Sequence, residues 1–134
     1  MATLKTNTLT GTSTAGSIAV TAEGNSTTTN LQQGLCKMWF SADMEGTSGM
    51  NDSFNSGTLT DNGTGDLSVA MTNNMSSIEY SGAGSVNTAG SYTNVVVIRD
   101  HQTSSIRLVT NNSDSNIDFD PSTFQICLLY TSDA

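Results

Sequence analysis

The sequence predicts an all-β protein, with an antiparallel β-sandwich or jelly-roll-like body and an extended N-terminal arm. Short runs rich in Thr, Val, Ile and Phe, which suit a pleated, half-buried surface, recur along the chain. Clusters of Gly, Asn, Asp and Ser separate these runs, as turns separate the strands of a sandwich. The hydrophobic residues follow no long helical period, so we expect no helix longer than about two turns.

The composition narrows the possible functions. Only 35% of the 134 residues are hydrophobic and 12% are charged, which predicts one domain with a modest core. The net charge is −8 and the four basic residues form no stripe, so we expect no binding to nucleic acid or to an anionic membrane. No signal peptide and no membrane-spanning run are visible, which predicts assembly in a cytoplasm without membrane insertion.

The first 34 residues differ from the rest because they contain no aromatic residue and are dominated by Thr, Ser, Gly and Asn. We expect residues 1–34 to form an extended arm that anchors or oligomerises the protein, followed by a β-sandwich body over residues 35–134. Within the arm, Ser17–Ala22 predicts a short strand, Asn25–Asn30 a polar connector and Leu31–Gly34 a single turn. The candidate arm and oligomer contacts are Leu4, Leu9, Ile18, Val20, Leu31, Leu35 and Trp39.

The clearest local signal in the body is a hairpin over Asp52–Thr72. Ser53–Leu59 and Asp66–Met71 form its arms, and Asp61–Gly65 forms the turn, where two glycines and an Asn supply positive φ angles. The strand candidates of the body are Leu35–Ala42, Ser53–Thr60, Asp66–Met71, Ser77–Ser81, Tyr92–Asp100, Ser104–Thr110 and Thr123–Thr131.

Three further segments of the body carry specific expectations. The run Val95–Ile98 has no alternation, which predicts a strand buried on both faces in the middle of a sheet. Arg99–Thr103 is typical of a turn that joins this strand to the next one as a hairpin. Asn73–Ser77 is a second candidate, beside Leu31–Gly34, for a short helical turn.

Two phrases of the body resemble a known group of proteins. Gln33–Phe40 (QGLCKMWF) and the hairpin phrase Asp52–Asp66 (DSFN…LTDNGTGD) are similar to phrases of small β-rich virion proteins of marine tailed bacteriophages, which are described as tail-fibre-like or structural. The opening Thr3–Leu9 resembles the TLKVDTI start of such chains. Leu67 departs from the pattern at a position where an aromatic residue is usual, and Met71–Thr72 replaces an Asn-Phe pair.

The resemblance implies a β-sandwich module of a virion, forming a homotrimer in contact with capsid or tail proteins, and carries over no catalytic residue or cofactor. The chain lacks the coiled-coil, collagen or β-helix repeats that a long fibre stalk needs. We therefore predict a non-enzymatic structural protein of the virion, held to the capsid or tail by its arm, as a capsid decoration or cement protein or a short head or tail fibre. The alternative is a receptor-binding tail-fibre tip that recognises host surface glycans.

Two functions of other classes compete with this prediction. A soluble sugar-binding module would need exposed aromatic residues at its site, and aromatic residues make up 6% of the chain. An enzyme such as a depolymerase would need a pair of carboxylates facing each other in a groove, and a sandwich of this size offers little groove.

The histidine and the two cysteines, residue types that often act in catalysis, are expected to have structural roles. His101, the single histidine, lies in a predicted turn, and no motif supplies it with a base or a nucleophile. Cys36 and Cys127 lie far apart inside apolar runs, where a small buried hydrophobe is favoured over half of a disulfide.

The segment Asp114–Asp120 places oxygen ligands at every second position, like the first half of a calcium loop. The pattern then fails, because Phe119 stands where Gly is required and Gln125 where the bidentate Glu belongs. We expect no bound metal. The candidate ligands, which would share one face of an extended segment, are Asp114, Asn116, Asp118 and Asp120.

Trp39 is the single tryptophan, in a predicted strand. Alternation would place Cys36, Met38 and Phe40 on the core face, and Lys37, Trp39 and Ser41 on the other face, half-exposed or covered by a neighbouring subunit. The polar loops Asp43–Met50 and Ser81–Ser91 are candidates for contacts with a glycan or a capsid neighbour, because long loops on a rigid sandwich often carry binding functions.

Overall fold

The prediction of an all-β chain is confirmed. The structure is a computed structural model, which describes residues 3–13, 18–21, 28–87, 94–113 and 115–129. In these ranges the regular elements are β-strands and one short 3₁₀ turn, without an α-helix. The chain divides into two compact units, Met1–Leu35 and Cys36–Ala134, which are described separately.

The described residues of the first unit form one small sheet. β1 (Ala19–Thr21) pairs antiparallel with β2 (Thr28–Asn30), and the 3₁₀ turn Leu31–Gly34 follows directly. The N–H of Leu31 donates to the carbonyl of Ile18 at 2.7 Å, which closes the hairpin. The predicted turn is present, and Ala19–Thr21 of the predicted strand Ser17–Ala22 is extended. Thr28–Asn30, the described part of the expected polar connector, forms the second strand, because Thr suits an extended backbone. Ser17, Ala22 and residues 25–27 lie outside the described residues.

The second unit, the body, folds into two antiparallel sheets. Its described strands are β3 (Cys36–Asp43), β4 (Gly49–Phe54), β5 (Ser56–Gly63), β6 (Asp66–Met71), β7 (Ser81–Asn87), β8 (Asn94–Arg99), β9 (Ser105–Asn112), β10 (Ile117–Asp118) and β11 (Thr123–Leu129). A four-stranded sheet has the order β4-β3-β11-β7. In the five-stranded sheet, β9 pairs with β8 along one edge and with β6 and β10 along the other, and β5 lies outside β6.

The two sheets share one hydrophobic core. Alternating side chains of β3 and β11 point inward from the four-stranded sheet, and those of β6 and β9 point inward from the five-stranded sheet. The rings of Phe40 and Phe124 stack with their centroids 5.9 Å apart and their planes within 8°. Leu67 and Leu108 from the opposite sheet belong to the same buried cluster. Two antiparallel sheets around one core form a sandwich-like arrangement.

The chain crosses from one sheet to the other at Asn55. The single strand predicted over Ser53–Thr60 is wrong, because Asn55 has a φ of 58° and ends β4 before β5 begins. Asn tolerates this left-handed conformation better than most residues. Its side-chain amide donates to the carbonyls of Lys37 at 3.1 Å and Asn73 at 3.0 Å, and its side-chain oxygen accepts from the N–H of Asn73 at 2.7 Å. These bonds fix the corner.

β7 lies where the sequence indicated a loop. Neither the strand Ser77–Ser81 nor the helical turn Asn73–Ser77 forms, and β7 begins at Ser81. Gly82 and Gly84 explain the difference, since a Cβ on either would lie 2.4 Å from the Cδ1 atom of Ile98 or Ile126, respectively. A glycine in a strand marks such a close approach as well as a turn. The predicted polar loop therefore contributes an edge strand through Asn87.

The hairpin of β8 and β9 is confirmed, but the burial expected for β8 is wrong. Val95 and Val97 are exposed, while Val96 and Ile98 are partly buried against the core. β8 is an edge strand that pairs with β9 alone, so its alternate side chains face outward. A run of four β-branched residues fits this position because β-branched side chains favour strands whichever way they face.

The hairpin of β5 and β6 is confirmed, with a tighter turn than expected. Gly63 pairs with Asp66 across Thr64 and Gly65. Gly65 has a φ of 66°, and an added Cβ would lie 2.8 Å from the carbonyl oxygen of Thr110. Its N–H donates to Asp120 Oδ1 at 2.7 Å, and its carbonyl accepts from the N–H of Thr110 at 2.8 Å. A side chain would not fit at this buried turn.

Candidate interaction surface

The outer face of the four-stranded sheet carries a row of apolar side chains. The strand registers place Phe54, Trp39, Cys127 and Ala83 opposite one another across β4, β3, β11 and β7. Phe54 is 53% exposed and Trp39 is 37% exposed. Leu129, further along β11, is also exposed on this face. We call this set the apolar face; exposed aromatic side chains in a row are typical of a contact surface.

A polar row lies beside the apolar face. Asp52, Ser41, Gln125 and Ser85 are opposite one another in the same four strands. The Ser85 hydroxyl lies 3.4 Å from Gln125 Oε1 and donates to it. A shallow groove of ≈ 290 Å³ runs between β7 and β11, bordered by Ala83, Ser85, Gln125 and Cys127 among others. The contact surface therefore has an apolar centre and a hydrogen-bonding edge.

The two cysteines meet on this face. A β-bulge pairs Leu129 with Cys36 and Leu128 with Met38, so that Lys37 is the extra residue of β3. The predicted sharing of one face by Cys36 and Met38 is therefore wrong. Both thiols are half-buried, and Cys36 Sγ lies 3.1 Å from Cys127 Sγ. The hydrogen bond to Cys36, together with burial, raises the pKa of the Cys127 thiol.

The outer face of the five-stranded sheet has a different chemistry. Arg107 makes a bidentate pair with Asp66, with Nε 2.9 Å from Oδ1 and Nη2 2.5 Å from Oδ2. The guanidinium holds the pKa of Asp66 below its usual value. The amide of Asn62 donates to Asp66 at 3.2 Å and to the hydroxyl of Ser68 at 2.8 Å. These polar groups satisfy one another within the chain.

The three described calcium-loop candidates, Asn116, Asp118 and Asp120, make separate contacts. Asp114 lies outside the described residues. Asn116 sits in a turn with a φ of 54°, and Asp118 accepts from the amide of Asn111 at 3.2 Å. Asp120 accepts from the N–H of Gly65, so it holds the β5–β6 turn. Among the described residues, no group of three His, Cys, Asp or Glu side chains could hold a metal ion.

His101 lies in the turn after β8, as predicted. Its ring packs on that of Tyr80, with the centroids 4.9 Å apart and the planes tilted by 52°. The hydroxyl of Tyr80 donates to the carbonyl of Gln102 at 3.0 Å, and burial raises the pKa of Tyr80 to about 12. Tyr80 and His101 therefore fasten this turn to the core.

The first polar loop closes the hairpin of β3 and β4. The N–H of buried Met44 donates to the carbonyl of Pro121 at 3.0 Å, and Gly46 has a φ of 72°. The hydroxyl of Ser48 donates to Asp61 Oδ2 at 2.6 Å and lowers the pKa of Asp61. This loop and the end of the β5–β6 hairpin therefore lie side by side.

The candidate contacts in the first unit remain largely open to solvent. Leu4 is 77% exposed and Leu9 is 56% exposed. Val20 and Leu35 are also exposed, while Ile18 and Leu31 are half-buried. None of the residues 3–13, 18–21, 28, 30–31 and 34–35, whose burial is described, is fully buried.

The outward position of Trp39 was predicted from the sequence, but the exposed positions of Phe54 and Leu129 and the contact between Cys36 and Cys127 were not. Phe54 was assigned to a strand of the hairpin, and the corner at Asn55 returns it to the other sheet. The signal that pointed to this was Asn55 itself, a residue that favours corners. The cysteine pair had no local signal, because it depends on a contact between residues 91 positions apart.

Comparison with known proteins gave no match: no protein-family model, no curated protein and no solved structure was similar to the chain. In the part of the chain that the structure describes, no helix has the length and apolar character needed to cross a membrane.

Proposed function

We propose that the chain is a non-enzymatic structural protein of a tailed-phage virion, attached to the capsid or tail through its N-terminal arm. A capsid decoration or cement protein, or a short head or tail fibre, fits this role. The phrases that resemble phage virion proteins support the proposal, and they fall on β3 and on the β5–β6 hairpin. A jelly-roll-like body, an extended arm and assembly in the host cytoplasm are parts of the same proposal.

The exposure of the leucines in the first unit is the observation that carries the proposal. Leu4 and Leu9 lie in a segment without strands, and both face solvent. Covering one leucine side chain is worth about 1.5–3 kcal/mol, and the described residues of this unit leave both leucines uncovered. A groove on a capsid or tail protein would supply that burial, so the leucines would act as anchors.

The apolar face supports the second part of the proposal, a homotrimer. Trp and Phe side chains are enriched where protein subunits meet. Trp39 and Phe54 lie opposite each other on a regular sheet, so one flat subunit surface could cover both. The polar row beside them would form the rim of that contact.

The anchoring role is tested by a pair of double variants in the phage that encodes the chain. Leu4→Asp with Leu9→Asp removes both anchors, and Thr3→Asp with Thr10→Asp adds the same charge to exposed positions of the same segment. We expect the leucine variant to lose at least about tenfold in copies per purified virion, measured by quantitative mass spectrometry, and the threonine variant to keep them. Full incorporation of the leucine variant would show that the arm does not anchor the protein.

The same measurement locates the protein in the particle. Hundreds of copies per virion would place it on the capsid, whereas a few trimers would place it on the tail. The homotrimer is tested separately by light scattering of the purified chain. We expect Trp39→Ser with Phe54→Ser to convert the trimer to monomers, and Val95→Ser with Val97→Ser, on the other sheet, to leave it intact. A monomeric wild-type chain would refute the trimer.

The alternative, a receptor-binding tip for host glycans, draws support from the β3–β4 loop and the end of the β5–β6 hairpin, which the hydrogen bond from Ser48 to Asp61 holds together. Adjacent polar loops at one end of a sandwich resemble a binding site. A glycan array with the purified chain distinguishes the two roles. Specific binding that is lost in Ser48→Ala would favour the receptor-binding tip.

A further inference from the structure

The two cysteines on the apolar face lie close enough to react with each other. Cys36 lies at the start of β3, and Cys127 lies in the neighbouring strand β11. The β-bulge at Lys37 turns Cys36 towards Cys127, which brings their sulfur atoms to 3.1 Å. Both side chains are half-buried and belong to the body, so a small oxidant in solvent can reach them in a chain whose apolar face no second subunit covers.

We propose that Cys36 and Cys127 form a reversible intramolecular disulfide that joins β3 to β11. The sulfur atoms need to approach by about 1 Å from their separation of 3.1 Å to reach bonding distance. The pairing of β3 with β11 already holds the two backbones in neighbouring strands, with Cys36 opposite Leu129 and Cys127 opposite Trp39. This inference does not depend on the proposed virion function.

The reaction is a thiol–disulfide exchange in which a low-molecular-weight disulfide, such as oxidised glutathione, is the oxidant. One protein thiolate attacks a sulfur of the oxidant and releases one reduced thiol, which leaves a mixed disulfide on the protein. The second protein thiol loses its proton and attacks the protein sulfur of that mixed disulfide, releasing the second reduced thiol. Two electrons pass to the oxidant, and each protein thiol gives up one proton.

The surroundings of the pair define the conditions for this reaction. The Cys36 thiol donates to the carbonyl of Met38 at 3.0 Å, and the hydrogen bond to Cys36 keeps the Cys127 thiol protonated at neutral pH by raising its pKa. Only a thiolate attacks a disulfide, so oxidation will accelerate as the pH rises towards and above the ordinary thiol value of 9.0. A reducing cytosol keeps both thiols reduced, and an oxidising medium favours the disulfide.

The test uses the purified full-length chain equilibrated in glutathione buffers of increasing oxidation. We expect the two free thiols per chain, counted after denaturation, to fall to none without a change in subunit number. Peptide mapping should then yield one Cys36–Cys127 linked pair. Two thiols that persist in the most oxidising buffer, or links that form between chains, would overturn the proposal.

Thermal unfolding provides the second readout. The disulfide closes a long loop, from residue 36 to residue 127, so we expect oxidation to raise the unfolding temperature by roughly 10 °C. Cys36→Ser and Cys127→Ser should each unfold at the same temperature in both buffers. An equal shift in the single variants would mean that oxidation acts elsewhere in the chain, and it would contradict the proposal.

Discussion

The four-stranded sheet and the five-stranded sheet bury the same kind of side chain inward, yet they present different chemistry outward. The outer face of the five-stranded sheet carries paired polar groups, such as Arg107 and Asp66, together with the exposed aliphatic side chains of Val95 and Val97. The outer face of the four-stranded sheet instead exposes the aromatic side chains of Trp39 and Phe54. Polar groups that are paired within the chain suit contact with water, whereas large exposed apolar side chains gain free energy when another surface covers them.

The largest expected effect separates the two faces of the four-stranded sheet. Phe40→Ala empties a core position that stacks on Phe124, so we expect the free energy of unfolding to fall by about 3–5 kcal/mol. Phe54→Ala removes the same side chain from the outer face, and in the unassembled chain, where no second subunit covers this face, we expect a loss of less than about 1 kcal/mol. Urea unfolding of the two variants, at a protein concentration where light scattering shows monomers, measures both losses. Similar losses would mean that other residues of the same chain cover Phe54.

The second effect compares the hairpin turns of the two sheets. Gly65 and Gly46 both have left-handed φ angles, but a Cβ at Gly65 would meet the backbone of Thr110 and Phe119, and one at Gly46 would meet nothing within 4 Å. We expect Gly65→Ala to lower the free energy of unfolding by about 3 kcal/mol and Gly46→Ala by about 1 kcal/mol.

Gly46→Ala is therefore the control that isolates backbone strain from steric overlap. The difference between the two variants, read from their urea midpoints, reports the buried contact of the β5–β6 turn. Equal midpoints would show that Thr110 and Phe119 can move away at little cost.

The smallest effect concerns the ion pair on the five-stranded sheet. Arg107 lowers the pKa of Asp66 below 3.8, so the pair stabilises the fold above that pH and the contribution disappears as the pH falls through the lowered value. Asp66→Asn should therefore unfold at a slightly lower temperature than the wild type at pH 7, and the two should converge as the pH falls from 3.8 through the lowered pKa of Asp66.

Thermal melts from pH 2 to pH 7 measure this convergence. Because the pair is partly exposed, the difference should shrink in high salt. A difference that grows at low pH would mean that Asp66 acts through something other than its charge.

Local patterns predicted the strands whose pairing partners are near in sequence. The β5–β6 hairpin followed from its Asn-Gly and Gly-Asp turn residues, and the β8–β9 hairpin from the polar turn at Arg99–Thr103. Both hairpins are confirmed. Their prediction was possible because a tight turn fixes the register of the two strands that it joins. The apolar strand β11 was also predicted, since its inward alternation is strong.

Long-range packing decided what the sequence did not reveal. Gly82 and Gly84 suggested a loop. In the fold, a side chain at either position would overlap with Ile98 or Ile126 of a neighbouring strand. The burial of Val95 depended on whether β8 had one neighbour or two, which no local pattern records. In the candidate surface, Trp39 was predicted, but Phe54 and the Cys36–Cys127 contact required the sheet order.

The pairing of β3 with β11 also affects how the body reaches its native state. The hairpins β3–β4, β5–β6 and β8–β9 join neighbouring segments, and such contacts form within microseconds. β3 and β11 are the first and last described strands of the body, so their pairing closes nearly the whole domain into one loop. During synthesis on the ribosome, the edge of β3 that pairs with β11 therefore stays unpaired until β11 has left the exit tunnel. We expect the core to close only after synthesis of the body is complete.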